Sequence, residues 1–290
     1  MGKEIFRGVG TAIATPFTDD GVNYDEYGKL LDDQIDAGVS AVIVCGTTGE
    51  SATMSEDEKK KLIKYTIDKS NNRIKVIAGT GSNNTMQAIK MSKYAEEAGA
   101  DGLLIVTPYY NKTTQDGLIA HYKAIADSVD LPIILYNVPS RTGVNILPET
   151  CYKLSQIDNI VGIKEASGDI SQVAKIANLC GENFSIYSGN DDQVIPILSL
   201  GGKGVISVLS NVMPEYTVEM VNSYLNGYTV QAGRMQVEAI DMINALFCEV
   251  NPIPVKYVLN KMGYDFGKPR LPLVELSDSS KEKVDKVLKK

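Results

Sequence analysis

Ile160-Val161-Gly162-Ile163-Lys164 is a short stretch that is apolar until its final lysine. A continuous apolar run of this length predicts a strand buried on both faces, as in a parallel sheet, rather than a half-solvated strand of alternating polarity. The same pattern recurs along the chain. The strands expected are residues 10–15, 41–45, 75–78, 102–106, 133–137, 161–164, 185–188 and 204–208. Helix-start signals fall between them: the capping box Ser55-Glu56-Asp57-Glu58, the weaker Asn84-Thr85-Met86-Gln87, the start at Asp169, and Pro148 at a first helical position. Eight strand–helix repeats predict an α/β fold of the (β/α)8 TIM-barrel type. A doubly wound sheet normally uses fewer strands.

After about residue 211 the strand signals stop. Residues 214–225, 230–247, 252–262 and 279–288 read as helices. The expected organisation is a barrel over residues 1–226 that carries the active site, and a C-terminal helical extension over 227–290 that offers an assembly surface. No flexible linker separates the two.

Hydrophobic content of 43% and charged content of 22% are ordinary for a globular domain, and the net charge is −7. That charge argues against non-specific binding to nucleic acid or an anionic membrane. No apolar run reaches the length of a membrane span, and the start shows no secretory signal, so a cytoplasmic location is expected. The four cysteines are widely spaced, which favours a reducing compartment and argues against a zinc site. Cys45 reads as a packing residue. The single histidine, His121, lies in an amphipathic helical stretch and reads as structural, so histidine-based triads and metal clusters are not expected. Gly79-Thr80-Gly81 and Gly202-Lys203-Gly204 lack the remaining residues of a dinucleotide or phosphate loop.

The chemistry is expected where barrel strands end. A lysine there can escape the cost of burial by shedding its proton, and a neutral amine attacks carbonyls. The bland alternative is a lysine that leaves the sheet for water with Glu165 as its partner. Other strand ends supply Gly46-Thr47-Thr48-Gly49-Glu50-Ser51, Thr107-Pro108-Tyr109-Tyr110-Asn111, Tyr136-Asn137-Val138-Pro139-Ser140-Arg141-Thr142-Gly143 and Ser188-Gly189-Asn190-Asp191-Asp192. A threonine turn suits a carboxylate, arginine grips a second carboxylate in bidentate fashion, and tyrosine hydroxyls pass protons without adding charge. Asp191-Asp192 reads as a helix N-cap. Each motif alone has an ordinary structural reading; their meeting at one rim makes the case.

The Gly46–Ser51, Tyr136–Gly143 and Gly162-Ile163-Lys164-Glu165 motifs resemble those of the dihydrodipicolinate synthase family, and the resemblance covers essentially the whole chain. It implies that Lys164 forms an imine with pyruvate. It implies that Tyr136, Thr47 and Tyr110 relay protons, with Tyr110 crossing from a neighbouring subunit. Thr48 would hold the pyruvate carboxylate and Arg141 that of L-aspartate-4-semialdehyde, while Gly189 and the carbonyl of Ile206 shape the pocket. The product would be 4-hydroxy-tetrahydrodipicolinate, on the route to diaminopimelate and lysine. No cofactor or metal is implied beyond the covalent imine, and the expected assembly is a dimer of dimers. Lysine-inhibited members bind lysine at positions matching Ser51, Ala52, Glu56, Lys59, Asn83, Gln87 and Tyr109. Here Glu56 and Lys59 stand where histidines are common and Gln87 replaces a carboxylate, so feedback inhibition by lysine is expected to be weak or absent. The neighbouring alternatives are N-acetylneuraminate lyase or a keto-deoxy-sugar aldolase, which resemble the same barrel and lysine, and a non-catalytic sensor or scaffold.

Overall fold

A computed structural model describes residues 4–289. Eight parallel strands close into a barrel: β1 Gly8–Ala12, β2 Ala41–Val44, β3 Lys75–Gly79, β4 Gly102–Val106, β5 Ile133–Asn137, β6 Ile160–Glu165, β7 Ser185–Ser188 and β8 Gly204–Ser207. They follow one another in chain order, and β8 closes on β1. The expected TIM barrel is therefore the observed fold. β1 stops at Ala12 rather than running to Thr15, because the chain turns out into a two-stranded ribbon of Phe17–Thr18 and Gly21–Val22. Strands of two residues carry no readable pattern.

Side chains alternate between the two faces of each strand. Ala12, Ile43, Ile77, Leu104, Ile134, Tyr187 and Ile206 form one cluster with Phe6, which stacks on Tyr187 at 4.4 Å between ring centres. Val42, Val76, Ile105, Leu135 and Ile163 belong to a second cluster shared with the surrounding helices. Burial on both faces is why the strands read as continuous apolar runs.

The register of β5 against β6 contains one irregularity. Ile133 pairs with Ile160, but Ile134 pairs with Gly162, so Val161 is an extra residue. This bulge sets Tyr136 beside Lys164 and Asn137 beside Glu165. Bulges commonly re-aim side chains next to active sites.

The helix starts follow the capping signals. Ser55 accepts from the Glu58 amide and the Glu58 carboxylate accepts from the Ser55 amide. Asn84 and Asp169 cap the helices Thr85–Ala98 and Ile170–Cys180, and Pro148 opens Pro148–Ser155. The expected helix 230–247 is two helices, Thr229–Glu238 and Ile240–Leu246, joined at Ala239. The bend there leaves Ile243, Ala245 and Leu246 buried. Ile253–Lys261 and Asp278–Leu288 complete the tail. Among the described residues no helix is long and apolar enough to cross a membrane.

Candidate active site

On β6 the alternation sends Lys164 into the barrel mouth and Glu165 to the opposite face. Lys164 is only 5% exposed, and its Nζ lies 4.4 Å from the centre of the Tyr136 ring. The bland expectation of a solvated lysine paired with Glu165 fails for this reason. The Glu165 carboxylate instead accepts from the Ser167 amide at 2.8 Å, and from Asn137 Nδ2 and Gln172 Nε2 at 3.1 Å. Burial raises its pKa, and these hydrogen bonds oppose the rise. Gly189, at the end of β7, leaves room for the lysine. A Cβ there would sit 2.6 Å from Ala166 Cβ, 3.0 Å from the Glu165 carbonyl oxygen and 3.1 Å from Lys164 Cε.

Asp191 corrects the sequence reading. It does not cap the helix that follows it. Its buried Oδ2 accepts from the amides of Val208 and Leu209, both at 2.9 Å, and so caps the single turn Leu209–Asn211 after β8. Burial raises the Asp191 pKa, while the bonds to Ser207, Leu209 and Val208 and the charge of Lys164 pull it down.

A cavity of about 190 Å³ opens above Lys164. Thr47, Thr48, Tyr136, Arg141, Lys164 and Gly189 all line it, so six of the eight residues singled out from sequence meet in one place. An outer cavity of about 300 Å³ shares Thr47, Arg141 and Asn251 with it and extends to Ser51, Lys59 and Tyr109.

The threonine turn is held in a demanding conformation. Cys45 and Glu50, on either side of Gly46–Gly49, have φ of +58° and +53°. Non-glycine residues in that region cost on the order of 1–3 kcal/mol each and persist only where their surroundings fix them. The surroundings are visible. Gly79 admits the Cys45 carbonyl, whose oxygen would lie 2.4 Å from a Cβ at that position. Glu50 is clamped by Lys256 Nζ at 2.7 Å and by the Arg270 amide at 2.9 Å. Cys45 is buried with its thiol pushed up to about 12, which fits the packing role read from sequence.

Asn251 was missed by the sequence reading. It lies between the tail helices, and its Nδ2 donates to Thr48 Oγ1 at 3.0 Å. Its carbonyl accepts from Arg141 Nη2 at 3.3 Å. One residue of the tail thus ties together the two groups suited to carboxylates. Phe247 and Val208 also line the inner cavity without having been foreseen. No local signal marks Asn251, because its partner Thr48 is 203 positions away.

Two residues lie apart from this cluster. Tyr110 has φ of +69°, is 92% exposed and lines neither cavity. Ile206 is fully buried in the barrel interior, and Val208 rather than Ile206 reaches the cavity lining. His121 is buried, with Nδ1 2.9 Å from Thr85 Oγ1, and burial lowers its pKa. Among the described residues no group of three potential metal ligands occurs.

A buried lysine at the mouth of a closed barrel, ringed by hydroxyls and an arginine, is an arrangement suited to the chemistry of a Schiff-base-forming lyase. The chain belongs to the Dihydrodipicolinate synthetase family, whose profile matches residues 5–290. A curated relative from Thermoanaerobacter sp. (strain X514), named 4-hydroxy-tetrahydrodipicolinate synthase, is 57% identical over 99% of this chain and 97% of its own. A relative of the same name from Acetivibrio thermocellus is 53% identical over 100% of this chain and 98% of its own. The crystal structure of dihydrodipicolinate synthase from Thermotoga maritima superimposes with a TM-score of 0.97 at 46% identity, covering 99% of this chain and 98% of that one. A structure described as the first monomeric dihydrodipicolinate synthase variant gives a TM-score of 0.96 at 47% identity, covering 98% and 96%.

Proposed function

We propose that the chain condenses pyruvate with L-aspartate-4-semialdehyde to give 4-hydroxy-tetrahydrodipicolinate, through an imine on Lys164. The observation that carries this reading is the single cavity in which Lys164, Tyr136, Thr48 and Arg141 converge. The amine of Lys164 attacks the pyruvate carbonyl and water leaves as the C=N bond forms. Loss of a methyl proton gives an enamine, with the iminium nitrogen receiving the electron pair. The enamine carbon then attacks the aldehyde, and the resulting alkoxide takes a proton. The amino group of the second substrate adds to the imine carbon, closes the ring and displaces Lys164. The imine itself is the electron sink, so the reading requires no cofactor or metal.

The other residues take the roles that family membership suggests. Thr48 receives the pyruvate carboxylate, and Arg141 receives that of the semialdehyde through the outer cavity. Tyr136 and Thr47 carry protons, and the exposed Tyr110 completes the relay from an adjoining subunit. Its exposure leaves it available for such an exchange. This reading makes the working form a homo-oligomer, a dimer of dimers in which the tight pair shares Tyr110.

Weak lysine feedback has a physical support in the same surface. Glu56 is already occupied by Lys60 at 2.6 Å, Lys90 at 2.8 Å and Gln87 at 3.0 Å. These neighbours hold its carboxyl down to about 2. Lys59 adds a like charge beside the outer cavity. The reaction reading is tested by separate incubations with pyruvate plus aspartate semialdehyde and with sialic acid. Product from the first pair alone supports it; turnover of sialic acid without condensation overturns it.

A further inference from the structure

On the face of the sheet opposite Lys164 lies a closed set of polar side chains that the proposed reaction does not use. Glu165 of β6, Asn137 of β5 and Gln172 of the helix Ile170–Cys180 are buried. Half-buried Asn145 follows the short helix Pro139–Thr142, which carries Arg141. The Glu165 carboxylate accepts from the Ser167 amide through Oε1 and from Gln172 Nε2 through Oε2, while Asn137 Nδ2 reaches both oxygens at 3.1 Å. Asn145 Oδ1 accepts from Asn137 Nδ2 at 2.8 Å and from Gln172 Nε2 at 3.1 Å, and its Nδ2 donates to Gln172 Oε1 at 2.7 Å. Asn137 Oδ1 accepts from the Ile146 amide at 3.0 Å. All three of these partners of Glu165 are donors, so both its oxygens act as acceptors, as in an ionised carboxylate.

We propose that Glu165 is a positioning residue: it keeps Lys164 aimed into the barrel mouth and, through Asn137 and Asn145, fixes the segment that carries Arg141. The inference rests on the reading of Lys164 as the imine-forming group and Arg141 as the grip on the second substrate. Lys164 and Glu165 are adjacent and oppositely charged, so when one faces the mouth the other faces the helices. A slip of one residue in register exchanges them. The bulge at Val161 sets Asn137 beside Glu165 and Tyr136 beside Lys164. A ladder without it would set Asn137 beside Lys164 and Tyr136 beside Ile163. The bonds from Asn137 to Glu165 belong to the bulged register and latch it. Turning the carboxylate toward the mouth would strand the Asn137, Ser167 and Gln172 donors in the interior, where unpaired polar groups are costly.

The same set reaches the other half of the site. Asn145 lies just beyond Arg141, and its carbonyl accepts from Gln115 Nε2 at 2.9 Å. Its side chain and the Ile146 amide join the Arg141 segment to the ends of β5 and β6. A shared support of this kind holds two binding groups in one geometry, which is what a two-substrate reaction requires.

The test measures the rate at which pyruvate and borohydride modify Lys164 in the intact protein, together with the melting temperature. Glutamine at position 165 keeps the shape but turns one acceptor into a donor that faces other donors. E165Q is therefore expected to trap pyruvate about 10- to 100-fold more slowly than wild type. Q172A removes one donor and leaves the carboxylate; it is expected to show a smaller fall in the same direction, and it decides the matter if E165Q does not fold. N145A leaves the Glu165 bonds in place and is expected to keep the wild-type trapping rate while raising KM for aspartate semialdehyde. V173A shortens a buried side chain on the same helix, outside the set; it is expected to lower the melting temperature and keep the trapping rate. A wild-type trapping rate in Q172A, or in a folded E165Q, overturns the proposal. So does a V173A whose trapping falls along with its melting temperature as it does in the other variants, since that would make the role merely structural. An unchanged KM in N145A overturns the part that concerns Arg141. A wild-type protein that traps no pyruvate on Lys164 overturns instead the reading of the reaction, and the inference falls with it.

Discussion

Replacing Lys256 by methionine isolates what the tail contributes to the site. Lys256 and Glu50 form an ion pair at 2.7 Å in which both side chains are essentially sealed from solvent, at 1% and 0% exposed. The lysine also sits 4.5 Å from the centre of the Phe17 ring and donates to the Lys268 carbonyl at 3.3 Å. Burial lowers the Lys256 pKa and the charge of Glu50 opposes that shift. Methionine keeps most of the volume but strands the Glu50 carboxylate, whose remaining partner is the Arg270 amide. Removing one member of a buried pair costs about 3–5 kcal/mol, most of it from the charge left behind. At about 2–4 °C per kcal/mol, the melting temperature should fall by on the order of 10 °C. The double variant E50Q/K256M removes the stranded charge and should recover at least half of the loss. Because Glu50 fixes the far side of the threonine turn, K256M should also slow imine formation with pyruvate more than E50Q/K256M does. Thermal unfolding by circular dichroism and a pyruvate-trapping rate measure both effects. A melting temperature for K256M within about 2 °C of wild type, or a double variant no better than the single one, refutes the reasoning.

The remaining predictions are shorter. G189A places a methyl against Lys164 Cε and the Glu165 carbonyl; a displacement of this size should reduce pyruvate trapping about 100-fold with little change in far-UV circular dichroism, and a normal trapping rate would contradict the packing argument. Because burial lowers the His121 pKa, its neutral form stabilises the fold fully above the ordinary value near 6.5, and that stability is lost as pH falls through the lowered value. H121Q should therefore show a flatter stability profile below pH 6.5, measured by urea unfolding at several pH values; identical slopes would count against it. Millimolar lysine should leave most of the condensation rate intact in a steady-state assay, and near-complete inhibition would reverse the reading of Glu56, Lys59 and Gln87.

The fold was legible because each barrel strand is apolar on both faces, and that leaves a continuous run in the sequence. The ends were less so: β6 extends through Glu165, whose charge reads as a boundary but whose carboxylate is satisfied by Asn137, Ser167 and Gln172. Residues on strand ends and their turns were legible for a related reason, since barrel topology alone brings Thr47, Tyr136, Arg141 and Lys164 to one rim. Asn251 was not, because only packing of the tail brings it to Thr48. The same holds for Lys256, which looks like a surface lysine until Glu50 is seen opposite it. Asp191 looked like an ordinary cap because the turn it caps begins 18 residues further on. The tail, expected to serve assembly, furnishes Phe247, Asn251 and Pro252 around the two cavities.

Borohydride reduction in the presence of pyruvate, followed by peptide mapping, reads the chemistry of Lys164 directly. One reduced pyruvyl adduct on the peptide containing Lys164, absent from K164R, is the predicted outcome. An unmodified protein, or an adduct on Lys256 or any other lysine, would contradict the assignment of Lys164 as the group that captures the keto acid.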